Sequence, residues 1–80
     1  MSDLKIDKTL DCKGMLCPMP IVKTRKAMKG MEVGELLEMF STDPGAMPDM
    51  NAWARQTKHE LLEAQELEER LFRFVVKKTH

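Results

Sequence analysis

The segment Leu16-Cys17-Pro18-Met19-Pro20 leaves its backbone few choices. Proline holds φ near about −65° and has no N–H, so it suits the first position of a helix, where that N–H would be unpaired anyway. The pattern predicts Cys17 at the N-cap and Pro18 at the first helical position. The positive end of a helix dipole favours a thiolate, which is the nucleophilic form of cysteine. Pro18 and Pro20 bring no N–H, so Met19 and Ile21 are the nearby backbone donors. A cysteine held in this setting is better suited to chemistry than to packing.

The flanking sequence supplies alternating strands and helices. Ile6 to Asp11 reads as a first strand, and Lys13-Gly14 as a turn. From Pro18 to Lys29, Ile21, Thr24, Ala27, Met28 and Met31 fall on one stripe at helical spacing, with Gly30 as the C-terminal cap. Val22, Arg25, Lys26 and Lys29 point largely away from it. Glu35 to Ser41 reads as a second strand, with Asp43-Pro44-Gly45 as the turn that follows. A second helix covers Pro48 to Lys58, or starts already at Pro44, and turns Met50, Trp53, Ala54 and Thr57 inward. Leu61–Leu67 and Leu71–Lys78 read as a hairpin around Glu68-Glu69-Arg70. In the last strand Phe72, Phe74 and Val76 alternate with Arg73, Val75 and Lys77, which suits a sheet buried on one face. The expected fold is an α/β two-layer sandwich in the order strand-helix-strand-helix-strand-strand. Two helices then cover one face of a four-stranded mixed sheet. Residues 1–80 read as a single domain.

Composition narrows the function. The chain has 80 residues, two of them cysteines, so its core must come from the 42% that is apolar. No apolar run approaches the roughly 20 residues that span a bilayer. The start, Met1-Ser2-Asp3-Leu4-Lys5, lacks the apolar segment of a signal peptide. These features point to a reducing cytoplasm, where cysteines are reactive or buried rather than bridged. Thirteen basic residues balance thirteen acidic ones, which argues against broad electrostatic binding to nucleic acid or membrane. The balance is uneven along the chain. Lys23, Arg25, Lys26 and Lys29 follow the cysteine, and Glu60, Glu63, Glu66, Glu68 and Glu69 crowd the later half.

Asp11-Cys12-Lys13-Gly14-Met15-Leu16-Cys17-Pro18-Met19-Pro20 resembles the signature of the TusA/SirA family of small sulfur-carrier proteins. That signature is roughly Asp-x-basic-Gly-x-x-Cys-Pro-x-Pro before a helix. The likeness continues through Gly34-Glu35 and Asp43-Pro44 to His59-Glu60-Leu61. It implies that the residue matching Cys17 accepts sulfur as a persulfide and passes it on by thiol exchange. Asp11, Gly14, Pro18 and Pro20 are the supporting motif. Arg25 and Asp43 match family positions near the partner-facing surface, and Lys26 and Lys29 extend the positive helix face. The implied donors are cysteine desulfurases or rhodanese-like proteins. The implied acceptors are DsrE-type or other relay proteins, with tRNA thiolation, molybdenum-cofactor supply or sulfur oxidation as outcomes. The resemblance implies a sulfurtransferase-type carrier rather than a free-standing enzyme, monomeric and without cofactor or metal.

Two departures from the family pattern bear on partners. Cys12 stands where the family is commonly aliphatic, and Met19 where acidic residues are frequent. Cys12 reads as a small core residue, as a resolving thiol for Cys17, or as half of a metal pair with no third ligand. His59 and His80 read as structural or solvated, and Trp53 and the methionines as core. The alternatives to a sulfur carrier are a thiol–disulfide regulator using Cys12 and Cys17, and a non-catalytic interaction module.

Overall fold

In the computed structural model, residues 5–16 and 18–80 are described. Six elements follow in order: β1 (Lys8–Cys12), α1 (Met19–Lys29), β2 (Leu36–Ser41), α2 (Ala46–Thr57), β3 (Glu60–Glu68) and β4 (Leu71–Lys77). The sheet runs β1-β2-β4-β3. β1 and β2 are parallel, and β4 is antiparallel to both β2 and β3. The expected two-layer arrangement is therefore the one observed.

Alternation builds the core. Cys12, Leu37, Met39, Phe72, Phe74 and Val76 turn inward from the sheet and meet Ala27, Met28, Met31, Met50, Trp53 and Ala54 from the helices. Thr24 lies in the buried stripe of α1 because its hydroxyl donates back to the carbonyl of Pro20 at 2.7 Å, which satisfies the polar group locally. Ile21, expected on the same stripe, is half-buried.

Several boundaries differ from the sequence reading. β1 starts later, at Lys8, and extends through Cys12, which pairs with Ser41. Asp7 acts before the strand, its carboxylate accepting the Leu36 N–H at 2.8 Å. The N-cap of α1 is Pro18 rather than Cys17, and no side chain among the described residues caps the helix. The carbonyl of Pro18 accepts the first helical bond, from Val22 N–H at 3.0 Å, which places the cap one residue later than expected. Met19 is then the first helical residue and Pro20 the second. α2 starts between the two expected points, at Ala46, with Gly45 as N-cap. Pro48 sits inside its first turn, where an N–H has no intrahelical partner to lose.

The open face of the sheet also departs from simple alternation. Val75 is fully buried although it faces away from the helices. It pairs with Glu38 on one side and Glu63 on the other. Arg73, two residues earlier on the same face, donates to both carboxylates, through Nε to Glu38 at 2.6 Å and Nη1 to Glu63 at 3.0 Å. A charged bridge thus spans the face where Val75 lies.

Candidate functional site

β1 and β2 run parallel, so the loops that follow them emerge at the same end of the sheet. The first is the Cys-Pro loop leading into α1, and the second is the Asp43 turn leading into α2. Such crevices beyond the carboxyl ends of parallel strands are where open α/β sheets place their sites. Cys17 itself lies outside the described residues, and its setting is read from its neighbours.

Those neighbours are well defined. The Asp11 carboxylate accepts the Lys13 N–H at 2.9 Å, and Cys12 carbonyl accepts Met15 N–H at 3.2 Å. Gly14 takes φ +81°, a conformation that side chains disfavour, and donates its N–H to the Thr42 hydroxyl at 2.9 Å. This bond ties the Cys-Pro loop to the end of β2. Leu16 is 75% exposed and Met19 44% exposed, and Pro18 is exposed as well. Pro20 is buried and anchors the helix entry. The residues on both sides of Cys17 are therefore offered to solvent from a tied loop.

The Asp43 turn is ordered by its own bonds. Its carboxylate accepts the Gly45 N–H at 3.0 Å, and its N–H donates to the buried Ser41 hydroxyl at 3.1 Å. Asp43 is half-buried, on the same end of the fold as the Cys-Pro loop.

Cys12 is fully buried in the core. Burial pushes its thiol pKa up, the Lys23 charge opposes this, and Asp11 adds to it. The protonated, inaccessible form is thus favoured.

Arg25, Lys26 and Lys29 are all exposed, but the helix divides them. Lys26 joins Lys23 and Lys8 around a cavity against β1. Arg25 and Lys29 turn towards α2 and line a second cavity with Trp53, His59 and Lys78. Helical spacing separates the two sets, since positions 23 and 26 share one flank and 25 and 29 the other.

The histidine cluster is absent from the sequence reading. His59 and His80 stack with centroids 4.4 Å apart and planes at 11°. His80 Nε2 lies 2.7 Å from the Thr57 carbonyl. His59 Nδ1 accepts the Thr79 N–H at 3.2 Å. Both histidines are distant from Cys17 in sequence order, and only the return of β4 beside β3 brings the chain's end back to His59. Among the described residues no three potential ligands gather as a metal site, and no helix is long and apolar enough to cross a membrane.

The geometry defines a class first: a two-layer α/β sandwich in which exposed Leu16 and Pro18, the residues flanking Cys17, lie beside a strand–helix turn. The sulfurtransferase TusA family model matches residues 8–78, and the chain belongs to that family. It is 41% identical over 73 residues to the sulfur carrier protein TusA of Allochromatium vinosum, covering 91% of this chain and 95% of that one. It is 53% identical over 60 residues to YrkI of Bacillus subtilis, a protein whose name proposes sulfur carriage, covering 75% and 80%. The crystal structure of a SirA-like protein from Desulfitobacterium hafniense superposes with a TM-score of 0.79 over 91% of this chain and 99% of that one. At 18% identity that likeness concerns the fold.

Proposed function

We propose that this chain is a single-domain sulfur carrier, residues 1–80, that holds sulfane sulfur as a persulfide on Cys17. The carrying observation is the tied loop at the carboxyl ends of the parallel strands, in which Leu16 and Pro18 on either side of Cys17 are exposed. Membership of the TusA family supports it. The Cys17 thiolate attacks the outer sulfur of a donor persulfide. The new S–S bond forms on Cys17 as the donor's own S–S bond breaks, and the donor leaves as a thiolate. An acceptor thiolate then attacks that outer sulfur, and Cys17 leaves as thiolate. Electrons and atoms balance without an oxidant, cofactor or metal.

Asp11 and Gly14 shape the loop in this reading, and Pro18 and Pro20 set the helix entry. Arg25, Lys26, Lys29 and Asp43 contribute to partner contact. The donor is a desulfurase or rhodanese-like protein, and the acceptor a DsrE-type or related relay protein. The setting is cytoplasmic, and the sulfur goes to tRNA thiolation, molybdenum-cofactor supply or sulfur oxidation. The alternative thiol–disulfide reading is disfavoured by the burial of Cys12.

Intact mass after incubation with a persulfide donor tests the proposal. The carrier gains the mass of one sulfur atom, and Cys17→Ser gains none. No described side chain caps α1, so the serine variant is expected to keep its fold by circular dichroism. Loss of two hydrogens would identify a redox protein instead. No change at all would leave an interaction module.

A further inference from the structure

Between the C-terminal halves of α1 and α2 lies a cavity of about 200 Å³. It lies beyond the first turn of α1, past the Cys-Pro loop. Its α1 lining runs from Arg25 to Lys29, six to ten residues beyond Met19, or about 9–15 Å along the helix at 1.5 Å per residue. Met28 and Trp53 give it an apolar floor, Arg25, Lys29 and Lys78 bring three cationic side chains to its wall, and His59 and His80 complete the lining. Among the described residues no acidic side chain lines it. Among the described residues the ion pairs are those of Arg73 with Glu38 and Glu63, so these three cations have no carboxylate partner there.

The wall is rich in donors. Lys78 Nζ donates to the Met28 carbonyl at 2.6 Å and the Met31 carbonyl at 2.5 Å. These bonds fix the ammonium at the end of α1 and leave one of its three donors unused. His59 Nδ1 accepts a backbone N–H from Thr79, so a neutral His59 carries its proton on Nε2 and offers a further donor. The Trp53 indole N–H is buried and has no acceptor among the described residues. Buried donors are normally paired, and the indole can only donate. The cavity therefore combines positive charge with an apolar floor that includes Trp53, a residue whose indole N–H is buried and unmatched.

We infer that this cavity binds a small monocarboxylate with an apolar body. The carboxylate meets the cationic wall, and the body lies against Met28 and Trp53. The volume is below the roughly 300–1,000 Å³ of sites for drug-sized ligands, which sets the ligand at about the size of a single ring. The site is separate from the sulfur-carrying cysteine and does not rest on that reading.

Trp53 is the only tryptophan, so its indole ¹H–¹⁵N resonance reports on the cavity alone. Titration with cyclohexanecarboxylate is expected to move that resonance saturably. The neutral amide, cyclohexanecarboxamide, is expected to bind at least tenfold more weakly. Lys29→Gln and Arg25→Gln should each weaken carboxylate binding severalfold, and Cys17→Ser should leave it unchanged. Equal binding of acid and amide, or a linear, non-saturating shift in the wild-type chain, would overturn the inference. So would folded Lys29→Gln and Arg25→Gln variants that both bind like wild type. Saturation by a blocked glutamate but not by cyclohexanecarboxylate would also overturn it, and would assign the cavity to an acidic side chain of another protein.

Discussion

Cys12 and Cys17 are five residues apart, and the neighbours of Cys17 are placed differently from Cys12. Cys12 ends β1 facing the core, where burial raises its pKa and closes it to solvent. Cys17 stands between exposed neighbours. Cys12→Ala is therefore expected to lower stability by about 1 kcal/mol, the scale for removing one buried group of this size. Sulfur loading, followed by intact mass, should remain near wild type. A Cys12→Ala variant that loads sulfur but cannot release it would instead make Cys12 a resolving thiol. Chemical denaturation separates the stability effect from the transfer effect.

At the scale of elements, β4 organises the molecule. It lies between β2 and β3, and its two faces carry different chemistry. One face packs Phe72, Phe74 and Val76 under the helices, and the other carries Val75 and the Glu38–Arg73–Glu63 bridge. Arg73→Ala removes both ion pairs and leaves two half-buried carboxylates side by side across the strand. A loss of about 1–3 kcal/mol is expected, the range for hydrogen bonds to charged groups that are partly withdrawn from water. The midpoint of urea unfolding measures it. Beyond β4, Thr79 and His80 fold back on the end of α2 and on His59. Partial burial holds the His59 imidazole below its ordinary pKa, and the charges of His80 and Lys78 add to this. Below the ordinary value of about 6.5, the unfolded chain then binds a proton that folded His59 resists. The contribution of His59 is thus fully kept above that pH and declines as pH falls, until His59 protonates in the folded state as well. His59→Asn should show a smaller loss of stability between about pH 7 and pH 5 than wild type. A variant with the same pH slope would remove His59 from this role.

Over the whole molecule the two charge signs are separated. Basic residues project from α1, and glutamates line the exposed half of β3, an edge strand. Charges of that kind protect an edge from pairing with other chains. If the α1 surface guides an acidic partner, Arg25→Glu should slow protein-to-protein sulfur transfer while loading from a small uncharged donor changes little. The defect should narrow at about 1 M salt, where exposed charges are screened within about 3 Å. Equal slowing of both reactions would place the effect at the Cys17 thiolate. Unchanged rates would make the cluster a solvated helix face. Stability should stay within about 0.5 kcal/mol of wild type, as for most surface changes.

Local patterns by themselves determined the elements, their order and the layered architecture. Alternation in Phe72–Val76, the helical stripe through Thr24, Ala27 and Met28, and the Cys-Pro-x-Pro element are all short-range signals, and each is written in side-chain chemistry. Element ends were less legible. Pro18 and Pro20 both suit a helix's first turn, and only the hydrogen bond from Val22 to Pro18 places the cap. The tertiary structure alone decided the rest. It buried Val75 beneath a bridge made by Glu38, Glu63 and Arg73, residues from three different strands. It also set Lys26 beside Lys8 of β1 and Arg25 beside His59 and Lys78, and brought His80 onto His59. These contacts join residues far apart in the chain, and their pairing depends on strand order and register, which no local pattern encodes.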